Sequence, residues 1–239
     1  MQYEFIDKTL FFPKQGILVI GDLHIGYELA LVESGILLPE QQVAETIENL
    51  KEIIQEIKTR KYGLKKIVFL GDIKHFFGYE YAEKANFNKV LDFLKTQVPE
   101  ENIILIKGNH DTMNLGLNFK NYYVEDGIAF LHGHEPYPAV YDKKVSCIVT
   151  GHLHPSVILE EEPGVKHETY KCFLEGNVRE KKLIVLPSFL GFYEGTPVNF
   201  YSEDFIEAFS IISKKDILKF KVNVVGEDSV YEFGRVGEL

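Results

Sequence analysis

Five short apolar runs punctuate the chain, and each stops at residues of metal-seeking type. Ile17-Leu18-Val19-Ile20 precedes Gly21-Asp22, Ile67-Val68-Phe69-Leu70 precedes Gly71-Asp72, and Ile103-Ile104-Leu105-Ile106 precedes Lys107-Gly108-Asn109-His110-Asp111. Further on, Ala129-Phe130-Leu131 leads to His132-Gly133-His134, and Cys147-Ile148-Val149-Thr150 leads to Gly151-His152-Leu153-His154. Runs of this length bounded by glycine read as strands buried on both faces. Separated by helix-like stretches, they predict an α/β fold, in which ligands gather beyond the carboxyl ends of the strands. Two aspartates, an asparagine and several histidines are then expected to share one cleft.

The rest of the pattern fills in around these runs. Tyr3 to Phe12 and Gly16 to Ile20, separated by Pro13-Lys14-Gln15, read as a strand pair that delivers Asp22 and His24, and Gly26 and Gly35 punctuate the loop that follows. Pro39 suits the first turn of a helix whose apolar positions Val43, Ile47, Leu50, Ile54 and Ile57 recur at helical spacing up to about Arg60. A second helix is predicted from Tyr81 to Val98, buried through Phe87, Val90, Leu91 and Leu94 and closed by Pro99. Asn121 to Glu125 and Ile128 to Leu131 form a hairpin turning at Asp126-Gly127. After Pro155 the texture changes to short strands: Val157 to Leu159, His167 to Leu174, Lys182 to Leu186, Leu218 to Val225 and Ser229 to Phe233, with solvated turns at 160–164 and 226–228. A second sheet packed on the first uses these strands most simply, giving two mixed sheets flanked by helices.

Length and charge narrow the classes. With 239 residues and no low-complexity tract or structureless linker, the chain is expected to form one domain over 1–239. A net charge of −10 provides no global attraction to nucleic acid phosphates or anionic membranes. Lys61, Lys65 and Lys66 make one basic cluster, read first as a solvated helix end. Arginine occurs only at Arg60, Arg179 and Arg235, outside the motifs, so phosphate recognition by an arginine fork is not indicated and metal ions would supply most of the positive charge. Cys147 and Cys172 read as buried small hydrophobes and not as a disulfide framework. No signal-peptide pattern and no spanning stretch is seen, so a cytoplasmic location without membrane contact is expected.

Taken singly, each motif has a bland alternative. Asp22-Leu23-His24 on an extended segment would turn both side chains to one cation, but Asp-X-His is equally a surface pair. Gly71-Asp72 is also the mark of a loop-capping aspartate, although a carboxylate at a strand end can bridge two cations. In Gly108-Asn109-His110-Asp111 the amide oxygen is a hard neutral ligand, and a histidine held by a neighbouring aspartate is a plausible proton donor. Two His-X-His pairs in one chain shift the balance from structural histidines to ligands. Helical His-Glu-X-X-His, paired Cys-X-X-Cys and phosphate-loop motifs are absent.

Read in order, Asp22-X-His24, Gly71-Asp72, Gly108-Asn109-His110-Asp111, His132 and Gly151-His152-X-His154 strongly resemble the calcineurin-like metallophosphoesterase superfamily. The resemblance implies an α/β/β/α sandwich with a two-metal site. One metal would be held by Asp22, His24, Asp72 and His154, the other by Asp72, Asn109, His132 and His152, with Asp72 as the bridge and His134 outside the ligand set. Donors without thiolate suit two divalent ions, manganese by resemblance, with iron, zinc and nickel compatible. The implied reaction is in-line displacement at phosphorus by a metal-bridged hydroxide, with His110 protonating the leaving oxygen and Asp111 orienting His110.

The segment after Asp72 has no Asp-Arg-Gly continuation of the protein phosphatases. His75, three residues after Asp72, instead resembles SbcD-type nucleases, where such a histidine helps hold the scissile phosphate; its bland alternative is a solvated loop residue. Asp22-Leu23-His24-Ile25-Gly26, Gly35-Ile36-Leu37-Leu38-Pro39, Leu186-Pro187-Ser188-Phe189 and Gly195-Thr196-Pro197-Val198-Asn199 look like the small SbcD-related archaeal phosphoesterases and the bacterial endonuclease PdeM. The Gly195–Asn199 stretch reads equally as a structural loop beside the cleft. The expected substrate is a phosphodiester of nucleic acid or a nucleotide. A phosphomonoesterase and a non-catalytic scaffold are the alternatives. Too little chain follows His154 for the DNA-capping domain and ATPase-binding helices of the large nucleases, which argues against an SbcC-like ATPase partner.

Overall fold

In a computed structural model of the protein, the described residues are 1–76, 81–112, 117–160, 167–200 and 211–239. They form two sheets. The first has the order β1 (Glu4–Ile6), β2 (Thr9–Phe12), β3 (Ile17–Ile20), β4 (Lys66–Phe69), β5 (Ile103–Ile106) and β6 (Phe119–Lys120), antiparallel through β3 and parallel from there on. The second is built from β7 (Tyr122–Glu125), β8 (Ile128–Leu131), β9 (Cys147–Thr150), β10 (Pro155–Glu160), β11 (His167–Val178), β12 (Lys181–Val185) and β13 (Thr196–Pro197). Its order is β13-β10-β11-β12-β9-β8-β7, with β14 (Lys221–Val225) on β11 and β15 (Val230–Arg235) on β14. The helices are α1 (Tyr27–Glu33), α2 (Gln42–Thr59), α3 (Tyr81–Lys95) and α4 (Lys214–Ile217).

The apolar runs are continuous because both faces of their strands are covered. On β3, Leu18 and Ile20 pack with Leu50, Ile54 and Ile57 of α2 and Phe87 and Val90 of α3, while Ile17 and Val19 face the other way. That inner layer is filled from both sheets: Phe12, Val68 and Ile106 meet Phe130, Val149, Phe173 and Ile184. The outer face of the second sheet, with Leu131, Ile148 and Leu174, is covered by Val140, Ile217, Phe220 and Val236. Two packed mixed sheets with helices outside are thus as expected from the sequence.

Four local expectations change. The stretch from Tyr3 to Phe12 is itself a hairpin, β1 to β2, turning at Asp7, whose φ of 47° breaks the extended run. The loop between Gly26 and Gly35 contains α1. Pro39 lies before α2 and not in its first turn, and α3 ends at Lys95, short of Val98. The predicted Asp126-Gly127 hairpin is found, with φ of 49° and 77° joining Glu125 to Ile128. The acidic turn expected at 160–164 lies outside the described residues beyond Glu160. Cys147 and Cys172 are free and buried.

Candidate metal centre

The carboxyl ends of β3, β4, β5, β8 and β9 converge, and each delivers its motif to the same place. Donor atoms of Asp22, His24, Asp72 and His154 lie within 4.8 Å of one another, as do those of Asp72, His132 and His152. Asn109 joins the second group through Oδ1, 3.0 Å from His132 Nε2. The two expected ligand sets are therefore brought together, and Asp72 belongs to both. Its Oδ2 lies 3.4 Å from His132 Nε2, 3.8 Å from His24 Nε2 and 3.9 Å from His110 Nε2. A third group comprises His24, His75 and His110, with the rings of His75 and His110 stacked at 5.7 Å. The His134 ring stands 5.1 Å from that of His132, outside these groups.

The backbone that carries these residues is not extended. His24, Asp72, His152 and His154 have φ of 46°, 45°, 69° and 45°, in the left-handed region that costs a residue with a side chain free energy. The extended geometry expected for Asp22-Leu23-His24 is thus corrected. Surrounding contacts hold the loops in place: Leu23 and His24 N–H both donate to the Asp72 carbonyl, and Ile25 N–H to that of Ile73. Gly108 and Gly151 are required by close approach, since a Cβ there would lie 2.1 Å from Asp72 Oδ1 and 2.5 Å from Asp22 Oδ2.

Asp111, expected to orient His110, has contacts of its own. Its buried carboxylate accepts from the backbone N–H of Gly108 at 3.0 Å and of Ile73 at 3.2 Å, stitching the Asp72 loop to the Asn109 loop. His110 Nδ1 lies 2.5 Å from the His75 carbonyl, while its backbone N–H donates to Asp72 Oδ1 at 2.9 Å. With Nδ1–H on that carbonyl, Nε2 faces Asp72 and the cluster.

Electrostatics favour a cation. Burial alone would raise the Asp22 carboxyl, but His154, His132 and His24 outweigh it and hold it below the usual carboxylate range. For Asp72 burial is likewise outweighed by the His132 hydrogen bond and charge, leaving about 2. Burial first, then the neighbouring imidazoles, pushes His24 and His152 down to about 3. His132 goes the other way, to about 9, because Asp72 and Asp22 overcome its burial. Ionised carboxylates and neutral imidazoles are the ligand states a divalent ion takes, so all of these but His132 stand in them near neutral pH. Ring nitrogens also face each other closely, His24 Nε2 to His154 Nε2 at 3.2 Å and His152 Nδ1 to His132 Nε2 at 2.9 Å. The donor set therefore fits hard or borderline divalent cations.

Several supporting residues escaped the sequence reading. Gln42 donates to the carbonyls of Leu23 and His24 and accepts from Gly26 N–H. Glu83, fully buried, accepts from the N–H groups of His75 and Phe76, both at 2.8 Å. Ser188 Oγ and Phe189 N–H donate to the Asp22 carbonyl, and Lys171 Nζ donates to the carbonyls of Ser188 and Leu190 behind them. Thr196 N–H donates to the His154 carbonyl at 2.7 Å, so the Gly195–Asn199 stretch is a structural edge pinned to β10. A buried Glu or Gln in an otherwise apolar helix face was the available signal for Gln42 and Glu83.

Two layered sheets with carboxylate, amide and imidazole donors gathered at their shared end make a candidate metal centre on an α/β scaffold. The chain belongs to the calcineurin-like phosphoesterase family, whose model matches residues 16–199. Among solved structures it is similar to the Pseudomonas putida nuclease MPE, with 19% identity over 97% of this chain and 100% of that one and a TM-score of 0.62. It is also similar to a conserved uncharacterised protein of Streptococcus pneumoniae TIGR4 described as a predicted phosphoesterase, at 16% identity, 98% and 99% coverage and a TM-score of 0.36. No curated protein matches the sequence closely. Among the described residues, no helix is long and apolar enough to cross a membrane.

Proposed function

We propose that the protein is a two-metal phosphodiesterase acting on nucleic acid or a nucleotide diester, of the small SbcD-related type. The observation that carries this reading is the sharing of Asp72 between two donor groups, one closed by Asp22, His24 and His154, the other by His132 and His152 with Asn109. When bound there, two divalent cations, manganese first among them, supply Lewis-acid polarisation of phosphoryl oxygens and lower the pKa of an attacking water. The chain's own part is positional. Asp72 and Asp22 offer the negative charge that retains the cations, and His132 must release its proton on loading. His110, tethered through Nδ1 to the His75 carbonyl, presents Nε2 to the leaving oxygen as proton donor, and the stacked His75 ring lines the phosphate side of the cleft. The diester preference is supported by His75 and by the nuclease MPE having the same fold over nearly the full chain.

Turnover of bis(p-nitrophenyl) phosphate and p-nitrophenyl phosphate with manganese tests this. Diester cleavage is expected to dominate and to vanish with chelator and in Asp72→Ala. His110→Ala is expected to lose roughly 10²- to 10⁴-fold. A large monoester preference would replace this reading with a nucleotidase-like one, and full activity in Asp72→Ala would overturn the site.

A further inference from the structure

Two tyrosines that carry no metal-ligand role close a ring of aromatic side chains beside the cluster. Going round it, centroid separations are 5.5 Å from His24 to His75, 5.0 Å to Tyr27, 6.2 Å to Tyr193, 5.7 Å to His154 and 4.9 Å back to His24. The tyrosines reach this place independently. Tyr27 opens α1, its N–H on the His24 carbonyl at 3.0 Å, and Tyr193 sits in the loop before β13 with its hydroxyl 3.2 Å from Thr196 Oγ1. Tyr27 stands edge-on to His75 at 86° and Tyr193 edge-on to His154 at 80°. Relative to each other they tilt by 49° and do not stack. Both remain half-buried, whereas His24, the cluster member in this ring, is 5% exposed.

Rings needed only to brace imidazoles would gain most from full burial. Partly exposed tyrosines beside the cluster that do not stack on each other keep ring surface available for a flanking group to stack on. The charge balance points the same way. A chain of net charge −10 gains little from counterion release along a phosphate backbone. Two lysines of the sheets are also consumed, Lys66 by Glu125 and Lys182 by Glu175. Stacking on aromatic side chains adds affinity for a nucleotide without a cation at the base, and it tolerates any base.

We propose that Tyr27 and Tyr193 form a nucleobase platform that stacks the base adjoining the scissile phosphate, so that the substrate is a nucleoside phosphodiester and not a simple alkyl diester. This rests on the phosphodiesterase reading above.

The test compares the p-nitrophenyl ester of thymidine 5′-monophosphate with the same ester of the abasic deoxyribose phosphate, which differs only in lacking the base. With manganese, the wild type is expected to show a KM roughly ten- to a hundredfold lower for the thymidine ester. Tyr27→Leu and Tyr193→Leu are expected to shrink that ratio, and Tyr27→Phe and Tyr193→Phe to keep it. Equal KM values in the wild type would overturn the proposal. So would Leu variants that slow both esters equally with the ratio intact, because the rings would then only hold the imidazoles. If neither ester is cleaved, the phosphodiesterase reading fails by itself. The platform is then judged by calorimetric binding of a thymidine dinucleotide against its abasic counterpart, where equal affinities overturn it.

Discussion

Asp72 Oδ2 faces three imidazoles, those of His132, His24 and His110, within 3.9 Å, so one oxygen serves both halves of the cluster. Asp72→Ala is therefore expected to lose both ions, whereas His152→Ala loses a single one; elemental analysis after chelator-free purification distinguishes them, and equal losses would remove Asp72 from its shared position. Behind Asp22, Lys171 offers a pH-dependent test. Burial chiefly, with Lys8 nearby, lowers its amine to about 7. Between about 7 and the unfolded value near 10.4 the unfolded chain holds a proton that the folded one does not, so this group makes stability rise with pH across that window. Urea midpoints at pH 7 and pH 10 are expected to rise less in Lys171→Met than in the wild type, and parallel changes would sink the assignment. The candidate donors were legible because their motifs follow strands buried on both faces. Their orientation was not: left-handed φ at His24 and Asp72 leaves no period in the sequence, and the Ser188 contact to Asp22 spans 166 residues.

At the scale of elements, the entry to α2 shows how a helix start can be set from elsewhere in the chain. Its Ncap residue, Gln41, makes no side-chain cap, and the Glu28 carboxylate instead accepts from the N–H groups of Gln41 at 2.6 Å and Gln42 at 2.9 Å. An acidic group there also complements the helix dipole. Glu28→Ala is expected to cost about 0.5–2 kcal/mol. Because Gln42 then holds Leu23 and His24, a reduced metal affinity should accompany that loss; urea denaturation and metal titration of one preparation check both, and lost stability with unchanged affinity would separate α2 from the site. Pro39 misled because a proline at the first turn is a local signal and this cap is not. α1 escaped notice since seven residues are too few to display a helical period. The long α2 and α3, whose buried positions Leu50, Ile54, Ile57, Phe87, Val90 and Leu94 repeat over several turns, were readable except at the start of α2 and the end of α3.

For the whole molecule, the donors divide between the two sheets: Asp22, His24, Asp72 and Asn109 follow β3, β4 and β5, whereas His132, His152 and His154 follow β8 and β9. The short strands after Pro155 made the existence of a second sheet legible, but not that the runs of β8 and β9 belong to it, nor the insertion of β12 between β9 and β11, because strand order depends on which edges pair late in the chain. Besides the apolar layer joined by Phe12, Phe130, Phe173 and Ile184, the cluster joins the sheets through charged and polar groups beyond the carboxyl end of β4, as the Lys66–Glu125 pair does at its start. A cation taking ligands from both sides binds the folded arrangement and not the separated strands. Its stabilisation follows mass action, about 2.7 kcal/mol for one site at a free concentration a hundred times Kd. Manganese is therefore expected to move the urea midpoint of the wild type upward while the transition stays single, chelator to reverse the shift, and Asp72→Ala to abolish it. A shift retained in Asp72→Ala would mean that the ion binds elsewhere. A transition that splits on loading, with one sheet's probes moving alone, would mean that the ligands from the two sheets do not act on a common ion.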